Sequence, residues 1–108
     1  MSNKSKRILV LTTCPGSITA KQIAQDLVAN QLAACVNILS GISSYFRWGN
    51  KVDFDDEFLL LIKTTDDCYS RVEKKIKSLH PHELPEIIAV PIQTGLADYL
   101  AWIDDSTK

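Results

Sequence analysis

Apolar residues along the chain follow the spacing of strands in some segments and that of helices in others. The continuous apolar run Ile8–Leu11 predicts a strand buried on both faces, and Pro15-Gly16 ends it. Three later segments have helical spacing, which predicts helices with buried stripes at Ala20, Ile23, Ala24, Leu27 and Val28, at Tyr69, Val72, Ile76 and Leu79, and at Leu96, Tyr99, Leu100 and Ile103. Ser17 is the expected N-cap of the first helix, and Thr65 or Asp66 that of the second.

The middle of the chain is rich in strand-forming residues on both sides of Gly49-Asn50, a dipeptide typical of a two-residue hairpin turn. A fourth strand is predicted over Glu86–Gln93, and Pro91 places it at a sheet edge because proline has no N–H for the ladder. The predicted order is βαββαβ followed by a C-terminal helix. This is the order of an α+β, ferredoxin-like sandwich, in which the second and fourth strands form the edges.

The central hairpin is too long for a monomer of this size. Its strands are predicted at about 14 residues against a usual ~5–6, and two helices cannot cover a hairpin of about 45 Å. Its distal half carries large aromatic residues: Tyr45, Phe46, Trp48 and Phe54. Either Gly41 bends the hairpin back onto its own core, or the hairpin docks on a neighbouring subunit. We expect the second, in a closed symmetric oligomer, with Trp102 at the same interface.

Composition limits the classes of function. The 108 residues predict a single domain, 1–108, with residues 1–6 as a flexible tail. A net charge of −1, with Lys and Arg spread along the chain, argues against a nucleic-acid or membrane partner. We expect a cytoplasmic protein, because no apolar stretch suits a signal peptide or a membrane span. Cys14, Cys35 and Cys68 form an odd number without a C-x-x-C pair, which predicts free thiols.

Several blocks of the chain resemble the CutA family, in the same order. They are Leu32-Ala33-Ala34-Cys35-Val36-Asn37, Ser44-Tyr45-Phe46-Arg47-Trp48, Glu57, Leu61-Ile62-Lys63-Thr64, His80-Pro81, Pro85-Glu86-Ile87 and Tyr99-Leu100-Ala101-Trp102-Ile103. The resemblance runs from Ile8 to about Asp104. It implies a ferredoxin-like fold, a tight trimer similar to the nitrogen-regulatory PII signal proteins, and a role in tolerance of copper and other divalent cations.

The chain also departs from the family pattern. His82 stands where the family usually has Tyr, and Asn50 where it usually has Gly. Thr12 and Leu79 stand where some relatives carry Cys and His. A metal site built on those two additional ligands therefore cannot form in this chain.

Cys35, His80 and His82 are the candidate metal ligands. Cys35 is either a buried thiol acting as a small hydrophobe or a soft ligand for copper. His80 and His82 are either surface residues of a loop or a chelating pair, since residues two apart in an extended segment point to the same side. A complete site needs Cys35 or a group from another subunit. The expected ion is copper or zinc, and no organic cofactor is expected.

Lys63 follows the apolar run Phe58–Ile62 and needs a partner or ligand, because burying an unpaired charge is costly. A two-residue turn places Lys63 opposite Val36, unless a bulge at Gly41 shifts the register. Glu57 shares its face but lies about 20 Å away, so the two cannot pair within one subunit. We therefore expect an intersubunit cleft lined by Asn37, Trp48, Glu57, Lys63 and Glu86.

Catalytic motifs are not evident: the chain has no nucleophile elbow, Gly-rich phosphate loop or H-E-x-x-H. We therefore expect no enzyme. Three functions remain open: a trimeric metal-responsive protein, a PII-like protein that binds a small anion through Lys63, and a trimeric scaffold for a protein partner that the sequence does not identify. The resemblance favours the first.

Overall fold

The computed structural model describes residues 6–108, which form four strands and three helices. In chain order these are β1 (Arg7–Cys14), α1 (Ser17–Ala29), β2 (Cys35–Trp48), β3 (Lys51–Thr65), α2 (Tyr69–Leu79), β4 (Ile87–Pro91) and α3 (Ala97–Asp105), with a 3₁₀ turn at Asp66–Cys68. The mixed α+β architecture and the order of elements confirm the prediction.

The strands form one antiparallel sheet in the order β2-β3-β1-β4. β2 and β4 are therefore the edge strands, as predicted. β4 is shorter than the predicted Glu86–Gln93, and Pro91 is its last residue, opposite Ile8 of β1. Pairing continues just beyond Pro91, where the Ile92 N–H donates to the Arg7 carbonyl at 3.0 Å.

One face of the sheet is covered by α1 and α2, and the hydrophobic core lies between the sheet and these two helices. Its central members alternate along the strands and recur at helical spacing in the helices: Ile8, Val10, Leu60, Ile62, Ala20, Ile23, Leu27, Val72 and Ile76. The expected caps are wrong in detail. Gly16 is the N-cap of α1, and Thr65 precedes the 3₁₀ turn without a capping side-chain hydrogen bond. Burial of the apolar stripes therefore contributes more to these helices than capping does.

The opposite face of the sheet is only partly covered. α3 packs across one end, where Ile103 is buried and Arg7 Nε donates to Asp104 Oδ1 at 2.9 Å. The remainder, here called the open face, is apolar and half-exposed or exposed: Leu9, Leu11, Leu39, Leu59, Leu61, Ile88 and Val90. The prediction that β1 is buried on both faces is therefore wrong for the single chain, because α3 is too short to cover the sheet.

The β2–β3 hairpin has the predicted two-residue turn, with Trp48 paired to Lys51. Between Leu39 and Ile42 the strand β2 has one extra residue relative to β3, which makes a bulge at Gly41, where φ is +76°. The bulge shifts the register by one, so Lys63 pairs with Cys35 and not with Val36 as the unbulged register predicted.

The part of the hairpin beyond the bulge, residues 42–57, is here called the arm. It does not fold back onto the helical core: Tyr45 is 72% exposed and Trp48 is 66% exposed. Tyr45 and Phe54 stack on each other with ring centroids 5.4 Å apart. The chain is accordingly elongated, 49 Å along its longest axis. The prediction of an arm that extends from the core is confirmed, and its docking on a neighbour remains a prediction.

The predicted tail overlaps the described residues only at Lys6. The Lys6 N–H donates to Asp66 Oδ1 at 3.0 Å, and the Asp66 N–H donates to the Lys6 carbonyl at 2.8 Å. Lys6 is thus attached to the start of the 3₁₀ turn and does not belong to a free tail. Residues 1–5 lie outside the described part of the chain.

The positive φ of Gly41 predicts that Gly41→Ala lowers the free energy of unfolding by about 1–2 kcal/mol. A Cβ at Gly41 meets no atom within 4 Å, so the loss comes from the backbone conformation and not from a clash. Gly49→Ala is the matched comparison, since its φ of +63° is also positive and its Cβ position is equally open. Urea unfolding at one protein concentration measures both, and an unchanged stability of Gly41→Ala would show that the bulge adapts to a side chain.

Candidate functional site

A cleft of about 660 Å³ lies between the arm and the segment 81–86. Its lining includes the aromatic residues Tyr45, Phe46 and Trp48. It also includes five carboxylates: Asp53, Asp55, Glu57, Glu83 and Glu86. The basic side chains that line it are Arg47 and His82. We call it the acidic cleft, and its excess of negative charge favours a cationic ligand.

Glu57 is the most buried carboxylate of the acidic cleft. It lies on β3 opposite Ile42 and is only 9% exposed. Within residues 6–108, no hydrogen bond or ion pair reaches its carboxylate. A buried charge without a partner is costly, so this position is suited to receiving a cation.

Glu57 also affects the neighbouring thiol of Cys14, which is fully buried at the end of β1. Burial, and then the negative charge of Glu57, raise the pKa of Cys14 to about 11. Cys14 is therefore a protonated thiol at neutral pH. This agrees with the prediction of free thiols.

His80 is held by the backbone through both ring nitrogens. Its Nε2 lies 2.7 Å from the Thr13 carbonyl oxygen, and its Nδ1 accepts the His82 N–H at 3.1 Å. A carbonyl oxygen only accepts, so Nε2 carries the proton and the ring is the neutral tautomer. His80 is 8% exposed, whereas His82 is exposed, lines the cleft and has its ring centroid 5.0 Å from that of His80. The predicted chelation of one ion by both histidines does not agree with this arrangement.

Cys35 lies far from the two histidines within one chain. Cys35 pairs with Lys63, and Lys63 with Leu9, whereas His80 contacts Thr13. Leu9 and Thr13 are four positions apart on β1, which is about 13 Å. In the part of the chain that the structure describes, no three His, Cys, Asp or Glu residues are close enough to hold a metal ion. The predicted set Cys35, His80 and His82 is thus not assembled by a single chain.

Lys63 and Cys35 lie in a second group of polar residues, beside α3. Lys63 Nζ donates to Asn37 Oδ1 and lies 3.7 Å from Cys35 Sγ. Tyr99 of α3 interacts with Cys35: burial, the charge of Cys35 and their side-chain interaction raise the pKa of Tyr99. We call Cys35, Asn37, Lys63 and Tyr99 the thiol–lysine cluster. Lys63 is half-buried, and no carboxylate in residues 6–108 pairs with it.

The predicted cleft residues are thus divided between two places. Trp48, Glu57 and Glu86 line the acidic cleft, whereas Asn37 and Lys63 belong to the thiol–lysine cluster. Glu57 and Lys63 are six positions apart on β3, about 20 Å, as their spacing requires. A single chain does not bring the five residues together, and their meeting across a subunit boundary remains a prediction.

Sequence reasoning missed several residues of the two groups. Asp53 and Asp55 share the strand parity of Glu57, and this alternation was a usable signal. Glu83 lies in a loop whose path no periodicity indicates. Tyr99 was predicted as part of the buried stripe of α3, but it is 39% exposed and its hydroxyl reaches Cys35.

The chain is similar to known proteins along nearly its whole length. The family model of the CutA1 divalent ion tolerance protein matches residues 8–106. The chain belongs to the CutA1 family. A divalent-cation tolerance protein CutA from Thermus thermophilus is 44% identical over 99 residues, which cover 92% of this chain and 96% of the relative. A CutA homolog from Xenopus laevis is 43% identical over 86% of this chain, which spans only 62% of that longer protein.

Solved CutA structures have the same fold. The Thermus thermophilus protein has a TM-score of 0.93 at 43% identity, covering 94% of this chain and 99% of that one. CutA1 from Oryza sativa has a TM-score of 0.94 at 38% identity, covering 99% and 98%. The Thermus thermophilus relative is named for divalent-cation tolerance and not for a reaction. The rice relative is named as chloroplastic, and the Archaeoglobus fulgidus protein as periplasmic. No helix within residues 6–108 combines the length and apolarity needed to cross a membrane.

The bonds of His80 predict that His80→Ala lowers the free energy of unfolding by about 2 kcal/mol, because a buried carbonyl and N–H lose their partner. His82→Ala, at an exposed ring two positions away, is the matched control and should change it by less than about 0.5 kcal/mol. Urea unfolding in the presence of a chelator measures both changes. The structural role of His80 would be contradicted if both variants lost little and equal stability with chelator, and if both losses became larger when metal is present.

Proposed function

We propose that this protein is a non-catalytic, cytoplasmic homotrimer that binds copper, zinc or another divalent cation in response to metal ions. The observation that carries the proposal is the carboxylate of Glu57, which is 9% exposed, without a cationic partner and directed into the acidic cleft. Membership of the CutA1 divalent ion tolerance family is consistent with a cation as the ligand.

The donors of the acidic cleft suit a divalent ion. Carboxylate oxygens and an imidazole bind most divalent metals. Glu57 and Asp55 supply carboxylates from the arm, and His82 supplies an imidazole from the segment 81–86. Because residues 6–108 of one chain bring no three such donors close enough, the coordination shell has to be completed by a neighbouring subunit. Cys35 of that neighbour is the proposed soft ligand for copper. His80 contributes indirectly, by holding the backbone of His82.

Two features support the trimer. The open face presents a continuous apolar surface, including Leu39, Ile88 and Val90 at 40–52% exposure. The arm presents Tyr45, Phe46, Trp48 and Phe54, and α3 presents Trp102 at 44% exposure. Surfaces of this kind mark subunit contacts. In the proposed PII-like trimer, the arm of one subunit lies beside the thiol–lysine cluster of the next. This interface brings together the five predicted cleft residues: Asn37, Trp48, Glu57, Lys63 and Glu86.

Native mass spectrometry of chelator-stripped protein, before and after one equivalent of Cu(II) or Zn(II) per chain, tests the proposal. We expect a trimer that gains metal in proportion to its chains. Titration calorimetry should show affinity reduced at least about tenfold by Glu57→Gln, as expected when a group of the ligand shell is lost.

Asp56→Asn is the matched control for Glu57→Gln. Asp56 is the adjacent acid, outside the acidic cleft, where it accepts a hydrogen bond from Ser43 at 3.3 Å. The variant Asp56→Asn should leave metal affinity unchanged. A monomer would contradict the assembly, and wild-type affinity in Glu57→Gln would contradict the cleft as the metal site.

Lys63 favours a second candidate function, the binding of a small anion between subunits. Its half-buried ammonium is contacted by Asn37 and Cys35, and neither of these is a carboxylate. An ammonium with this environment is suited to an anionic ligand from solution. In this alternative the trimer is a PII-like binding protein, and the bound metal is not required.

Thermal unfolding of metal-free protein with inorganic pyrophosphate tests this alternative. We expect pyrophosphate to raise the Tm of the wild type and not that of Lys63→Met, because the ligand stabilises only the state that binds it. Lys77→Met, which removes an exposed lysine from the last turn of α2, should keep the response. A rise that persists in Lys63→Met would exclude Lys63 as the anion site.

A further inference from the structure

Cys35 and Lys63 form a thiol–amine pair at the edge of the sheet. They are directly opposed residues of β2 and β3, and Lys63 Nζ lies 3.7 Å from Cys35 Sγ. Asn37 holds the ammonium beside the sulfur by accepting its hydrogen bond. Reactive cysteines are typically found in such partly exposed positions next to a cation.

The other two cysteines lack this combination. Cys14 is fully buried, and its thiol is protonated because its pKa is raised to about 11 by burial and by Glu57. Cys68 is 1% exposed, and its basic neighbour is the guanidinium of Arg71, 3.5 Å from Sγ, which is not a nucleophile. The thiol of Cys35 thus has both access to solvent and a neighbouring amine.

We propose that Cys35 and Lys63 are a redox modification site, at which hydrogen peroxide produces a covalent sulfenamide between Sγ and Nζ. The proposal does not rest on metal binding. Cysteine sulfenic acids are known to condense with a backbone nitrogen to give a sulfenamide, and here the side-chain amine of Lys63 takes the place of that nitrogen. The product fastens β2 to β3 beside α3 by a reversible bond.

The reaction balances in two steps. The Cys35 sulfur first attacks one oxygen of peroxide, the O–O bond breaks, and a sulfenic acid and water form; sulfur loses two electrons and peroxide gains them. The amine of Lys63, after giving one proton to water, then attacks the sulfur, and the hydroxyl leaves as a second water. In sum, one thiol, one ammonium and one peroxide give a sulfenamide, two waters and one proton.

Neighbouring groups of the cluster support both steps. The hydroxyl of Tyr99 lies close enough to interact with Cys35, so it can donate a proton to the departing hydroxyl. Lys63 has four rotatable side-chain bonds, so Nζ can close the remaining distance to Sγ without a change of strand register. Both reacting residues lie within the long β2–β3 ladder, which keeps their backbones opposed.

The test is mass spectrometry of the chelator-treated wild type after stoichiometric hydrogen peroxide. We expect the chain to lose the mass of two hydrogens, and a digest to contain a peptide pair joined through Cys35 and Lys63. Dithiothreitol should restore the original mass. No reaction, a sulfinic acid at Cys35, or a disulfide between cysteines would each overturn the proposal, whatever the variants show.

Lys63→Arg is the matched variant, because it keeps the positive charge and removes the reactive amine. It should form no cross-link, and dimedone, which traps sulfenic acids, should label Cys35 severalfold more than in the wild type. Cys35→Ser should show neither product. Equal dimedone labelling of Cys35 in the wild type and in Lys63→Arg would contradict capture of the sulfenic acid by Lys63.

Discussion

The long antiparallel pairing of β2 with β3 is the constraint on which the rest of the structure depends. β2 has 14 residues and β3 has 15, and their near end forms part of the core, while their far end extends from it as the arm. The arm provides one wall of the acidic cleft, and the near end holds the thiol–lysine cluster. A shorter hairpin would complete the same helical core and keep the thiol–lysine cluster, but it would have no acidic cleft.

The same ladder separates charges that would otherwise neutralise each other. Glu57 and Lys63 lie on one face of β3, and in residues 6–108 neither forms an ion pair. Each is at least half-buried, so each carries an electrostatic cost that a monomer cannot remove. A bound ion of opposite charge, or a charged group of a neighbouring subunit, would remove this electrostatic cost. The proposed assembly and the proposed ligand binding would therefore be coupled through one strand.

Most of the fold could be predicted from sequence, because helical spacing, the Gly49-Asn50 turn and Pro91 are local signals. The register of Lys63 could not, since one extra residue near Gly41 changes the pairing without changing the pattern of apolar residues. The half-exposed Leu9 and Leu11 show a second limit: periodicity identifies an apolar face but not what covers it. That Cys35, His80 and His82 do not meet within one chain has a third reason. The position of His80 depends on its bond to the Thr13 carbonyl, a contact distant in sequence.

The bulge at Gly41 has a consequence for how this hairpin tolerates insertions and deletions. Before the bulge, odd-numbered residues of β2 share a face with Leu59, Leu61 and Lys63; after it, even-numbered residues share the face of Glu57. The extra residue changes which side chains of β2 point to this face. It places Trp48 on the face of Glu57, Asp55 and Asp53, while Cys35 stays opposite Lys63. Deletion of one residue here would move every side chain of β2 in the arm to the opposite face of the sheet. We therefore expect lineages to vary the residues around the bulge more readily than their number.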